Sequence, residues 1–153
     1  MRIKASWAIA TIVLSVASAS WAEKPALTVS TLKNDPAANV AFDAMKKGHA
    51  LPEWATRGGT ESPAHAVMLG GKRMLVMSAC KPHACDSERM AVLYDQQKKV
   101  MYGVLSTVDP KKNVEQLTWM NIGDGDESID GRTILYATLT GSVDNHPDAF
   151  NFK

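Results

Sequence analysis

The sequence predicts an α+β domain in which an antiparallel sheet is covered on both faces. Three observations carry this. Segments of strand character cluster in the middle of the 153-residue chain, after helix signals and before a stretch of mixed signal. The turns between those segments are short, as antiparallel order requires. The best-defined strand is apolar on both sides, with Leu75, Met77 and Ala79 on one face and Met74 and Val76 on the other. A strand buried on both faces implies packed layers above and below the sheet.

Each element has a local reason. Asp35-Pro36 reads as an N-cap followed by proline at the first helical position. The helix is expected to run to about residue 47, with Gly48 as its stop. Val40, Ala41, Phe42 and Met45 supply its apolar side, and Lys46 and Lys47 complement the C-terminal dipole. Residues 52–57 read as one or two further helical turns, ended by Gly58-Gly59. Segments 66–69 and 73–79 flank Gly70-Gly71 and read as a hairpin. Segments 89–94 and 100–107 form a second hairpin, and 116–122 is a fifth strand. Residues 128–142 fit either a helix capped by Ser128 and carrying Ile134, Leu135, Thr138 and Leu139, or a turn and strand after Asp130-Gly131. Residues 145–148 read as a turn opening a last helical turn before the Phe150 and Phe152 tail.

Residues 1–22 read as a secretory signal peptide. Arg2 and Lys4 form a basic start, residues 5–17 are mostly apolar, and Ser20-Trp21-Ala22 places small residues at the cleavage positions. The cut is expected before Glu23, leaving a single domain over 23–153 in an exported protein without a stable membrane anchor. Removing Arg2 and Lys4 leaves 15 basic against 16 acidic residues, a formal charge of −1. That balance argues against nucleic acid as a partner.

The only two cysteines lie in Cys80-Lys81-Pro82-His83-Ala84-Cys85. In an oxidising compartment they are expected to pair. A ring this small adds about 2 kcal/mol in the chain-entropy model. Its larger effect is local, since the bond and the fixed φ of Pro82 remove loop freedom and so lower the entropic cost of binding. Four readings fit the ring: a structural staple, a binding finger tipped by His83, a thiol-disulfide site, or a metal site using Cys80, Cys85 and His83. The redox reading is weakened by four intervening residues where thioredoxin-like motifs have two. The metal reading lacks a fourth-ligand motif.

Other features read as structural. Asp124, Asp126, Glu127 and Asp130 do not match a calcium loop, because Ile129 stands where glycine is needed and Leu135 where the bidentate glutamate belongs. They form a solvated turn. Met74 and Met77 point to opposite faces of a strand and cannot chelate together. His49, His65 and His146 each stand alone, and no serine occupies a G-x-S-x-G motif. The residues therefore predict no catalytic centre and no cofactor.

The ring with its preceding Ser78-Ala79 resembles the signature loop of the Ivy family, bacterial inhibitors of vertebrate lysozyme. The resemblance continues through Gly48-His49, Leu51-Pro52, Trp54, Val76-Met77, Leu117-Thr118-Trp119, Ser128-Ile129-Asp130-Gly131, Leu139-Thr140-Gly141-Ser142 and Asn145-His146-Pro147-Asp148. It implies a periplasmic protein with three layers, a five-stranded antiparallel meander between helices, and so a helical 128–142. It also implies a non-enzymatic role: the ring enters the cleft of a C-type lysozyme, with His83 as the key inhibitory residue. Retaining glycosidases hold two carboxyl groups about 5 Å apart. An imidazole has ring nitrogens on opposite edges and can address both at once; protonated there, it gains charge-assisted hydrogen bonds. The glycan substrate overlaps with that of the cell's own lytic transglycosylases, which extends the candidate partners to them. Family members occur both singly and paired, so the resemblance leaves a homodimer open. The chain departs from the family at Ala84, commonly an aspartate, and weaker binding is expected from the lost carboxylate.

Overall fold

The computed structural model describes residues 26–123 and 125–152. The expected signal peptide, its cleavage position and Asp124 lie outside the described residues. Three helices come first: α1 (Val29–Leu32), α2 (Pro36–Met45) and α3 (Glu53–Arg57). Asp35 caps α2 as expected, its Oδ1 accepting from the Ala37 and Ala38 amides at 2.8 and 3.2 Å. The helix stops at Met45 and the chain turns away at Gly48, whose φ is +83°. Its buried side is Ala38, Ala41, Phe42 and Met45. Val40, expected on that side, is 68% exposed. The stripe set by positions 38, 41, 42 and 45 follows the helical repeat and leaves residue 40 outside it.

Strands β1 (Thr60–Glu61), β2 (His65–Leu69), β3 (Lys72–Cys80), β4 (Glu88–Asp95), β5 (Val100–Asp109) and β6 (Val114–Met120) form one antiparallel sheet. Strands β2 to β6 pair in succession. The expected count of five needs correction, because β1 makes a sixth. It lies on the same edge of β3 as β2, pairing Thr60 with Cys80 and Glu61 with Ala79 where β2 pairs only as far as Val76. The edge is broken between them because Pro63 has no N–H and the Ala64 amide donates to Leu27 at 2.7 Å.

The turns explain the register. Gly70 and Gly71, at φ of +57° and +71°, make the two-residue β2–β3 turn with both residues left-handed. The next two hairpins share another device. Asp95 Oδ1 accepts from the Gln97 and Lys98 amides, and Asp109 Oδ1 from those of Lys111 and Lys112. Lys99 and Asn113 then take positive φ.

Beyond the sheet, a 3₁₀ turn (Asp126–Ser128) leads into α4 (Asp130–Leu139), followed by α5 (Ser142–Asn145) and a second 3₁₀ turn (Pro147–Ala149). The ambiguous 128–142 is therefore helical. Ser128 is not its cap: Ile129 occupies that position, and Ser128 closes the 3₁₀ turn.

Two core clusters follow the alternation along the strands. One joins α1, α2 and α3 to Leu75, Met77 and Ala79, with Met90, Val92 and Tyr94 from β4. The other joins α4 and α5 to Met74 and Val76, with Ala91 and Leu93. Met74 and Met77 thus sit in separate clusters, as their spacing requires. Phe150 and Phe152 pack on the second cluster. The C-terminal end of α4 is tied to the sheet by Arg89, which donates to the Leu139 carbonyl at 3.1 Å and pairs with Glu115 at 3.3 Å. Among the described residues, no helix is long and apolar enough to cross a membrane.

Asp35→Ala should lower unfolding stability by about 1 kcal/mol. Urea titration should show a lower midpoint with an unchanged m-value.

Candidate functional site

The segment between β3 and β4 carries the candidate ring. Cys80 is the last residue of β3 and pairs in register with Arg89 of β4. Cys80 and Cys85 are joined in a disulfide, with Cα atoms 4.9 Å apart. With the bond closed neither sulfur is a free thiolate, and among the described residues no group of three or more His, Cys, Asp or Glu side chains is placed to hold a metal ion; a closed bond is equally the oxidised state of a thiol-disulfide pair.

Inside the ring, the Ala84 amide donates to the Lys81 carbonyl at 2.9 Å. This closes a four-residue turn with Pro82 and His83 at its centre. His83 has φ +64°. Proline followed by a residue of positive φ is the pattern of a type II turn. Histidine is among the few non-glycine residues enriched in left-handed backbone. Lys81, Pro82 and His83 are all exposed, so the imidazole stands at the apex. Ala84 is half-buried, and its carbonyl accepts from the Ser87 and Glu88 amides at 3.1 and 2.9 Å. The Lys81 amide donates to the Glu88 carbonyl at 3.0 Å. The backbone of the stem is thereby satisfied without distorting the β3–β4 ladder.

Several residues outside the hexapeptide build its base. Glu88 takes the Lys81 ammonium on Oε1, and on Oε2 it accepts the Trp54 indole N–H at 3.0 Å. These two bonds, Lys81 first, hold the Glu88 carboxyl below its ordinary range. Gly59 passes so close beneath the ring that an added Cβ would lie 2.1 Å from the Cys80 carbonyl oxygen and 3.2 Å from the Trp54 ring. Glu61 holds the same segment from the other side, accepting from the Ser30 amide at 2.7 Å and its hydroxyl at 2.6 Å. Sequence reasoning treated Gly58-Gly59 only as a helix stop and did not single out Glu88. The signal available for Gly59 was a second glycine beyond the one that ends α3.

The other histidines have ordinary surroundings. His65 Nε2 lies 2.8 Å from Asp144 Oδ1, joining β2 to α5. His49 is exposed, and His146 flanks α5 and the last 3₁₀ turn. A hollow beside the disulfide is lined by Ser78, Arg89, Thr138, Thr140 and Asp144. Its charged groups already face partners: Arg89 meets Glu115, and Asp144 meets His65.

Residues 38–123 match the family model described as inhibitor of vertebrate lysozyme (Ivy). A protein of Escherichia coli K12 named inhibitor of vertebrate lysozyme is 47% identical over 146 residues, covering 95% of this chain and 92% of that protein.

The chain belongs to the Ivy family.

An uncharacterized protein of Yersinia pestis is 30% identical over 79% of each chain. A Pseudomonas aeruginosa protein, also named inhibitor of vertebrate lysozyme, is 31% identical over 48% of this chain and 49% of its own. The matched Ivy region begins within α2 and runs just past β6, and so contains the whole ring and its stem.

Gly59→Ala should force the backbone away from Cys80. The expected loss of stability is about 1–3 kcal/mol by urea titration. Glu88 has its own pH signature. Because its native pKa is lowered from 4.5, its contribution is present above about pH 4.5 and is lost as pH falls through the native value. The stability gap between wild type and Glu88→Gln, about 1 kcal/mol or less at neutral pH, should therefore narrow as the solution is acidified below about pH 4.5.

Proposed function

We propose that this chain is a periplasmic inhibitor of C-type lysozyme that seats the ring closed by Cys80 and Cys85 in the enzyme's cleft. One observation carries the reading: an exposed histidine at the apex of a covalently closed turn, on a chain of the Ivy family. The chain's role is binding, and the chemistry belongs to the enzyme it occupies. His83 is exposed and occupies a central position of the closed turn. A glycosidase of this class needs one carboxyl group as proton donor and the other ionised. The imidazole can donate to one and accept from the other, occupying the space of the glycosidic oxygen.

Preorganisation makes this effective. A flexible loop would lose conformational entropy on entering a cleft, whereas a ring already fixed by a disulfide, a proline and a closed turn loses little. The two core clusters support reading the fold as three layers, helices on either side of the sheet, a stiff platform for a projecting loop. Ala84 carries no polar group of its own, which leaves Lys81 and His83 as the polar side chains of the ring. The basic, apolar start of the sequence supports export, the compartment in which such a disulfide persists.

Mixing the protein with a C-type lysozyme and following cell-wall lysis tests the reading. His83→Ala should weaken inhibition by about thirtyfold or more, the scale of an interface hot spot, with thermal unfolding nearly unchanged. Equal inhibition by both proteins would refute the histidine plug.

A further inference from the structure

A small ring can be stiff within itself and still rock about its stem. The stem's backbone hydrogen bonds run along the β3–β4 hairpin: Lys81 to Glu88, and Ser87 and Glu88 to Ala84. They resist sliding along the hairpin more than tilting across it. The Ser87 hydroxyl adds a bond to the Ala84 carbonyl at 3.3 Å, still within the hairpin, whereas Glu88 joins the ring to another element. Glu88 has one carboxylate oxygen on Lys81, inside the ring, and the other on the Trp54 indole of α3. Trp54 packs on the α1–α3 core cluster, so the chain of contacts runs from ring to carboxylate to indole to core. The Cys80 carbonyl and the Trp54 ring also converge on Gly59, which brings α3 and the root of the ring together.

Taking the loop as the inhibitory element proposed above, we propose that Glu88 is a positioning residue for His83: its carboxylate sets the tilt of the ring by joining Lys81 to Trp54. A carboxylate suits this task because it accepts from two donors on two sides at once. Both bonds favour its charged form, so the bridge is made at neutral pH. Glu88 lies outside both core clusters, and its loss leaves the packing that holds the domain folded. What changes is the freedom of the ring, which then has to be lost on binding. A tilt also displaces the apex more than the stem, which places the error at the imidazole.

The test uses the exported form of the protein with Glu88→Gln, Trp54→Phe, the double variant and His83→Ala. Trp54→Phe removes the indole donor while keeping an aromatic ring, and neither bridge variant alters the hexapeptide. Two quantities are read: the dissociation constant for a C-type lysozyme, and the NMR order parameters of the His83 and Ala84 amides in the free protein. Each single variant should weaken binding about three- to tenfold. The double variant should be no worse than the weaker-binding single, because both remove one bridge. The order parameters should fall in all three. Binding within twofold of wild type in both single variants, with His83→Ala severely impaired, would overturn the positioning role and leave the inhibitor reading standing. Absence of binding by the wild type would instead remove the inhibitor reading. The order parameters would then decide alone, falling if Glu88 orients the ring and unchanged if it does not.

Discussion

The crowding around Cys80 is the constraint on which the rest of the structure turns. That residue ends β3, pairs with Arg89 on one side and Thr60 on the other, and closes the disulfide. Its carbonyl is approached so closely by Gly59 that no side chain fits between them. Everything the loop presents to solvent is referred to this point. On one flank the Arg89 guanidinium reaches the end of α4; on the other Glu88 reaches Trp54 in α3. The root of the finger is thus joined to helices associated with both core clusters, and a disturbance of either is felt at its base.

The energies involved are small and local. The ring bond is worth about 2 kcal/mol to folding, and an exposed ion pair about 1 kcal/mol or less. A sheet with two buried clusters does not depend on either. Their importance lies in restricting a few torsions near the apex, where lost freedom bears on association and hardly at all on folding. If the ring is the binding element proposed above, stability and recognition are separable in this fold.

Much of this was legible in the sequence because it is locally encoded. Asp35-Pro36 announces α2, since capping involves only the next three residues. Gly70-Gly71 announces a hairpin, and the two-sided apolar pattern of β3 announces that its alternate residues are buried in two clusters. The ring, too, is contiguous. What was not legible depends on residues far apart in the chain. Val40 looks apolar and helical, yet its exposure depends on where α2 meets β5. The two-residue β1 has no pattern of its own and exists because Gly59 can approach Cys80. Helix α1 is a single turn whose capping box uses Thr28 with Thr31, without the acidic or amide residue that would mark it. The Glu88 bridge spans 34 residues to Trp54, and no local reading connects them.

The left-handed backbone at His83 filters chemistry before any partner does. A β-branched or bulky residue is a severe misfit at positive φ, whereas glycine, asparagine, aspartate and histidine are tolerated. Of those four, only histidine offers a ring with a nitrogen on each edge. Torsion angles at this position thus weigh most heavily against branched side chains, and among the residues enriched there the imidazole alone sets two polar atoms on one rigid ring.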